Sequence, residues 1–115
     1  MIYQVIMPYF KDLSNNSYKI GRYTKGSVRS WMGELAGRVL LLKVEPAKKY
    51  RIGIKGYFTD KRHPDIHNLH KVIGDALKLA LPVDDKHYFF VDEGIQLGTL
   101  TEAIEINIQS WEIKK

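Results

Sequence analysis

The sequence predicts an α/β domain of the α+β two-layer kind. Alternating apolar residues mark strands near both ends and in the middle of the chain, and two stripes with helical spacing lie between them. No internal repeat or low-complexity tract interrupts this pattern. The order is strand, helix, strand, helix, strand, strand, and helices of this kind bury their stripes against a sheet. At 115 residues a single domain over residues 1–115 is expected. A chain of this size buries roughly two-thirds of its unfolded surface.

Ile2 to Met7 alternates weakly and stops at Pro8, giving the first strand. Residues 11–26 are polar and turn-rich. Ser27 is placed to cap a helix running to about Lys43, with Trp31, Leu35, Val39 and Leu42 on its apolar side. Pro46 lies beyond its end. Tyr50, Ile52, Ile54 and Phe58 alternate with Arg51, Lys55 and Tyr57, predicting a strand with one wetter, basic face. A second helix is expected from Asp65 or Ile66 to about Ala80. Tyr88–Leu97 and Glu102–Ile113 read as the last two strands, joined through Gly98-Thr99-Leu100-Thr101. Tyr88, Phe89 and Phe90 fit a strand entering the core, with an interface or a base-stacking surface as the other reading.

Composition narrows the function classes. The longest unbroken apolar run, Val39 to Leu42, is far too short to cross a bilayer. No basic segment followed by a long apolar one opens the chain, so a secretory leader is not expected. The absence of cysteine excludes disulfides and thiolate zinc sites, and is compatible with the cytosol. Net charge is +5, unevenly spread: residues 1–62 hold thirteen Lys/Arg against four Asp/Glu, residues 63–115 five against nine. That segregation suits a basic binding surface beside an acidic centre. Solvated lysines alone would also produce much of it.

The acids concentrate around the second helix. At 100° per residue, Leu69, Val72, Ile73, Ala76, Leu77 and Ala80 gather on one side, and His67, Asn68, Lys71 and Asp75 on the other. Pro64 favours extended backbone before the helix, and Asp65 is placed to cap it, beside amides that favour an ionised carboxylate. Each residue has an ordinary role as well. Asp65 serves as a plain cap, Lys71 and Asp75 form an i,i+4 ion pair, and Asp84-Asp85 makes a turn.

Together these residues resemble the RusA family of Holliday-junction resolvases, crossover-junction endodeoxyribonucleases that cut four-way DNA junctions. The family pattern is a basic run, then Asp-x-Asp-Asn-Leu-x-Lys, an Asp in the same helix and a closing Asp-Asp pair. Here it reads Lys61-Arg62-His63-Pro64-Asp65-Ile66-His67-Asn68-Leu69-His70-Lys71, then Asp75, then Asp84-Asp85. An earlier Ser14-Asn15-Asn16, followed by Tyr18, is also family-like. The resemblance implies a RusA-like β-α-β-α-β-β domain with helices on a mixed sheet, acting as a homodimer on junction DNA. A phage or prophage setting suits so compact a resolvase.

By the same resemblance, Asp65, Lys71, Asp75 and Asp85 are the expected catalytic residues. Asp65, His67 and Asp85 are the expected ligands of a divalent metal ion, Mg2+ or Mn2+, and no organic cofactor is expected. His67 departs from the family, which usually has a second metal-binding Asp there. The change removes a negative charge and weakens attraction for Mg2+, while imidazole still suits Mn2+ or another transition ion; a proton carrier or a weakened site is the other reading of His67. The expected chemistry is hydrolysis of a DNA backbone bond, with the ion polarising a phosphate oxygen and Lys71 stabilising the phosphate. Asn15, Asn16, Lys19, Arg22, Lys25, Arg29, Lys61 and Arg62 are the expected DNA contacts, each with a solvated or turn-forming role as the alternative. Two other functions stay open: a nucleic-acid-binding relative with weak or no cleavage, and a basic scaffold with no nucleic-acid role.

Overall fold

The structure, a computed structural model, describes residues 1–14, 19–20 and 23–113, with residues 19–20, 23–24 and 112–113 given by their backbone alone. Its main sheet is built from β1 (Ile2–Pro8), β4 (Ala47–Phe58), β5 (Tyr88–Leu97) and β6 (Ala103–Ile113), in the spatial order β1-β6-β4-β5. β6 runs antiparallel to both β1 and β4, whereas β5 is parallel to β4. The sheet is therefore mixed. A separate small ribbon pairs β2 (Lys19–Ile20) with β3 (Tyr23–Thr24), inside the stretch expected to be turns. The helices are α1 (Gly26–Leu42) and α2 (His70–Leu77).

One face of the sheet builds the core. Val5, Met7, Tyr50, Ile52, Ile54, Phe58, Ile104, Ile106 and Ile108 pack with the apolar stripes of both helices. The registers Ile52–Ile108, Ile54–Ile106 and Met7–Ile104 put these side chains in facing rows. Two polar groups tie α1 to β1. The Trp31 indole N–H donates to the Pro8 carbonyl at 2.8 Å, and the Arg38 guanidinium to the Ile6 carbonyl at 2.8 Å.

The starts of both helices, and the end of the second at Leu77 instead of about Ala80, differ from the sequence expectation. α1 starts at Gly26 with Lys25 in the capping position and no side-chain cap bond, so Ser27 lies inside the first turn. The helix ends where Lys43 adopts a left-handed conformation and its N–H bonds to the Leu40 carbonyl. That ending leaves Leu42 37% exposed, while Val28 and Ala36 complete the buried stripe instead. The second helical segment opens as a 3-10 turn over Ile66–Leu69 and becomes α-helical only from His70 to Leu77. The tighter turn keeps Ile66 and Leu69 buried without a full α-turn before them.

The uncovered face is held by polar bonds spanning all four strands. Asn107, which is buried, accepts from Gln4 at 3.1 Å and donates to Glu93 at 2.8 Å and Glu105 at 2.9 Å. Arg51 reaches the other Glu93 oxygen at 3.3 Å, and the Tyr57 hydroxyl donates to Glu105 at 2.8 Å. The Asn107 bond holds the Glu105 carboxyl below its usual range. Gly53 makes room for this arrangement, because a Cβ there would fall on the Glu93 carboxylate. A β-bulge between Asp92 and Gly94, where Gly94 takes φ +118°, leaves Glu93 as the extra residue.

Candidate active site

The loop leading into α2 is anchored before it reaches the acids. The His63 ring stacks on Phe58 at 5.0 Å, and its Nδ1 lies 2.9 Å from the Pro64 carbonyl oxygen. Arg62 grips Asp60 at 2.8 Å and pulls that carboxyl down to about 2. Asp65 follows in extended geometry, as Pro64 and the helix start require. Its backbone carbonyl accepts from the Asn68 N–H at 2.9 Å, yet its carboxylate makes no cap bond. Asp65 thus holds the capping position with an exposed side chain turned away from the role expected of it.

Two clusters form along α2. In the first, the half-buried Asp75 carboxylate lies 3.2 Å from the Lys78 ammonium and 3.9 Å from that of Lys71. The same Lys78 group stands 3.9 Å from Asp85. Its pKa is raised, chiefly by the Asp75 bond, with Asp85 and Asp84 adding to the field. Asp85 sits at this point because Asp84 caps the turn Asp85–His87, accepting from the Asp85 N–H at 3.2 Å. Gly74 completes the fit: a Cβ there would lie 3.3 Å from Phe90 and 3.6 Å from the Asp85 Cβ. Buried Tyr88 follows, its hydroxyl donating to the Val83 carbonyl at 2.8 Å. Burial, with smaller effects of Asp85, Tyr50 and Asp84, raises that phenol.

The second cluster lies toward the start of the helix. His70 stacks on Phe90 with 4.6 Å between ring centroids and 13° between planes. Its Nε2 is 2.8 Å from an Asp92 oxygen. His67 meets the His70 ring edge-on at 4.9 Å. The aromatic run is thereby split by strand alternation. Tyr88 and Phe90 face the helices, while Phe89 lies on the uncovered face against Trp111 at 5.5 Å.

Among the described residues, no three His, Asp or Glu side chains are grouped to hold a metal ion. Asp65, His67 and Asp85 thus do not make a ready three-ligand cage. His67 and Gly74, beside which Asp85 packs, are about 12 Å apart along the helical path. Carboxylate oxygens such as those of Asp65 and Asp85 suit a hard cation chemically.

The basic residues are distributed unevenly. Asn15, Asn16 and Arg22 lie outside the described residues, and Lys19 is described only as part of β2. Lys25 is paired with Asp12 at 3.2 Å, Arg29 is exposed on α1, and Lys61 and Arg62 are exposed in the loop before Asp65. Beside that loop opens a hollow of about 450 Å³, lined in part by Tyr9, Lys11, Arg62, His63 and Pro64.

Sequence reasoning passed over Lys78, His70 and Asp92. Lys78 was visible as the residue three positions after Asp75. His70 lies inside the Asp65–Lys71 motif, in a position where the family pattern allows any residue. Asp92 carried no local signal, because only the parallel pairing of β5 with β4 brings it to the helix.

The family model of endodeoxyribonuclease RusA matches residues 13–109, and the chain belongs to that family. RusA enzymes resolve Holliday junctions, act on junction DNA and generally depend on a divalent metal ion. No curated protein matches the chain in sequence. Among the described residues no helix is long and apolar enough to cross a membrane.

Proposed function

We propose that this chain works as a single-domain, structure-selective endonuclease that hydrolyses the backbone of four-way DNA junctions with Mg2+ or Mn2+. The observation that carries the proposal is the family match across the Asp65–Asp85 segment, whose acids and lysines line the polar side of α2. Asp65 and Asp85 are the carboxylates we assign to the ion and the reacting phosphate. Mg2+ commonly takes one or two protein carboxylates and completes its shell with water and substrate phosphate, so the absence of a closed cage is compatible with this assignment. The ion would supply Lewis-acid stabilisation of phosphate charge.

The chain's own groups would do the rest. Lys71, more than half exposed, is placed to reach a phosphate oxygen and stabilise charge as the bond breaks. Asp75 holds Lys71 and Lys78 near the helix and sets the local field. His67, exposed at the start of the segment, presents an imidazole where the family has a carboxylate. Lys61, Arg62, Arg29, Lys25 and, in the stretch before them, Lys19, Arg22, Asn15 and Asn16 are assigned to backbone contacts, which carry affinity rather than base sequence. Paired cuts across a junction require two centres, and a twofold homodimer supplies them.

Cleavage of a four-way junction and a matched duplex, each with Mg2+, Mn2+ or chelator, tests the reading. Paired, metal-dependent incisions confined to the junction and abolished by Asp85→Asn are expected. A second reading, junction binding without cleavage, is favoured by His67, an imidazole where the family has a carboxylate. Tight junction binding with no incision in either metal would select it.

A further inference from the structure

We propose that His70 is a positioning residue that fixes the His67 imidazole at the reacting phosphate, and that Asp92 and Phe90 hold it in place. The proposal rests on the reading of the Asp65–Asp85 segment as the cleavage site. His67 itself is exposed, and a solvent-facing imidazole on a 3-10 turn has several rotamers open to it. One side of its ring, however, meets the His70 ring at 4.9 Å and 64°.

His70 is restrained from two directions. Phe90 covers its ring face, and the Asp92 oxygen 2.8 Å from Nε2 fixes the rotation of the ring about its own axis. A carboxylate on one imidazole nitrogen selects which nitrogen carries the proton as well as where the ring points. Each restraint has its own structural cause. Phe90 comes this close because Gly74 has no side chain. Asp92 faces the helix because its pairing with Ile54 puts it on the core side of β5, immediately before the bulge.

A simple tie between helix and strand would need neither the edge contact to His67 nor a polar pair at a surface where the His70 side chain is still 21% exposed. The arrangement instead extends Asp92's restraint through His70 to the side chain that replaces a family carboxylate. Such control of orientation is the kind on which turnover depends, since displacing a reacting group by about 1 Å can cost two orders of magnitude.

The test compares wild type, His70→Ala, His70→Phe and Asp92→Asn by junction turnover, by the imidazole NMR resonances of His67 and by thermal unfolding. His70→Ala is expected to lower turnover about tenfold, with KM within about twofold, and to move the His67 resonances. His70→Phe keeps an aromatic wall against His67 and is expected to restore most of both. Asp92→Asn should fall between them. Unmoved His67 resonances in His70→Ala would overturn the proposal. So would turnover in all three variants that merely follows the loss of folded protein. Should the wild type cut no junction, the functional reading fails by itself, while the His67 resonances still decide the positioning.

Discussion

The Asp75 carboxylate and the Lys78 ammonium face each other at 3.2 Å across the C-terminal end of α2. Lys78 also faces Asp85, so a single cation offsets two of the acids assigned to the site. Lys78→Met is expected to change stability by less than about 1 kcal/mol near neutral pH, since the ammonium is over a third exposed and exposed pairs contribute little. Its pKa is raised by Asp75, so its contribution is complete below the ordinary lysine value of about 10.4 and fades as pH rises through the higher folded value. The difference in unfolding midpoint between wild type and Lys78→Met should shrink only in strongly alkaline buffer.

Asp60 and Arg62 give the opposite sign. The guanidinium holds the Asp60 carboxyl at about 2, below its ordinary value, so their contribution is present above about pH 4 and disappears as pH falls through about 2. Asp60→Asn should therefore unfold more easily than wild type at pH 5. The two should converge near pH 2 in chemical-denaturation curves.

Gly53→Ala is expected to destabilise the fold by about 1–3 kcal/mol, because the new methyl group falls on a carboxylate tied to Arg51 and Asn107. Pairing it with Glu93→Ala removes the collision. The double substitution should then cost less than the sum of the two singles, as a double-mutant cycle would show. Additive losses would place the strain elsewhere.

DNA affinity should separate two neighbouring cations. Lys61→Ala is expected to weaken junction binding at all sequences and to reduce the slope of log affinity against log salt by about one. Arg62→Ala should do less, because Asp60 already engages that guanidinium at 2.8 Å. Binding isotherms across a salt series measure both. Equal effects would mean that Arg62 leaves Asp60 on the DNA.

Much of the fold was legible because its patterns are local. The alternation of Tyr50, Ile52, Ile54 and Phe58 predicts their shared burial, and β5 spans Tyr88–Leu97 as read. The stripe from Leu69 to Leu77 is likewise buried as its spacing requires. Boundaries were less legible, because Asp65 and Ser27 look like caps chemically although neither side chain makes a cap bond. Within the candidate site, the Lys71–Asp75 neighbourhood follows from helical spacing. The Asp92–His70 bond depends on parallel strand pairing across 22 positions of sequence, which no local period encodes.

The extra residue at Glu93 divides β5 into two phases. Before it, Tyr88, Phe90 and Asp92 pair with Tyr50, Ile52 and Ile54; after it, Ile95 and Leu97 pair with Gly56 and Phe58. The parity of the strand changes from even to odd between the half beside α2 and the distal half. Deleting Glu93 would remove the bulge and leave Ile95 and Leu97 paired with Gly56 and Phe58, while taking away the carboxylate that Arg51 and Asn107 engage. The extra residue therefore sets where that carboxylate lies, and the facing of the distal half does not depend on it.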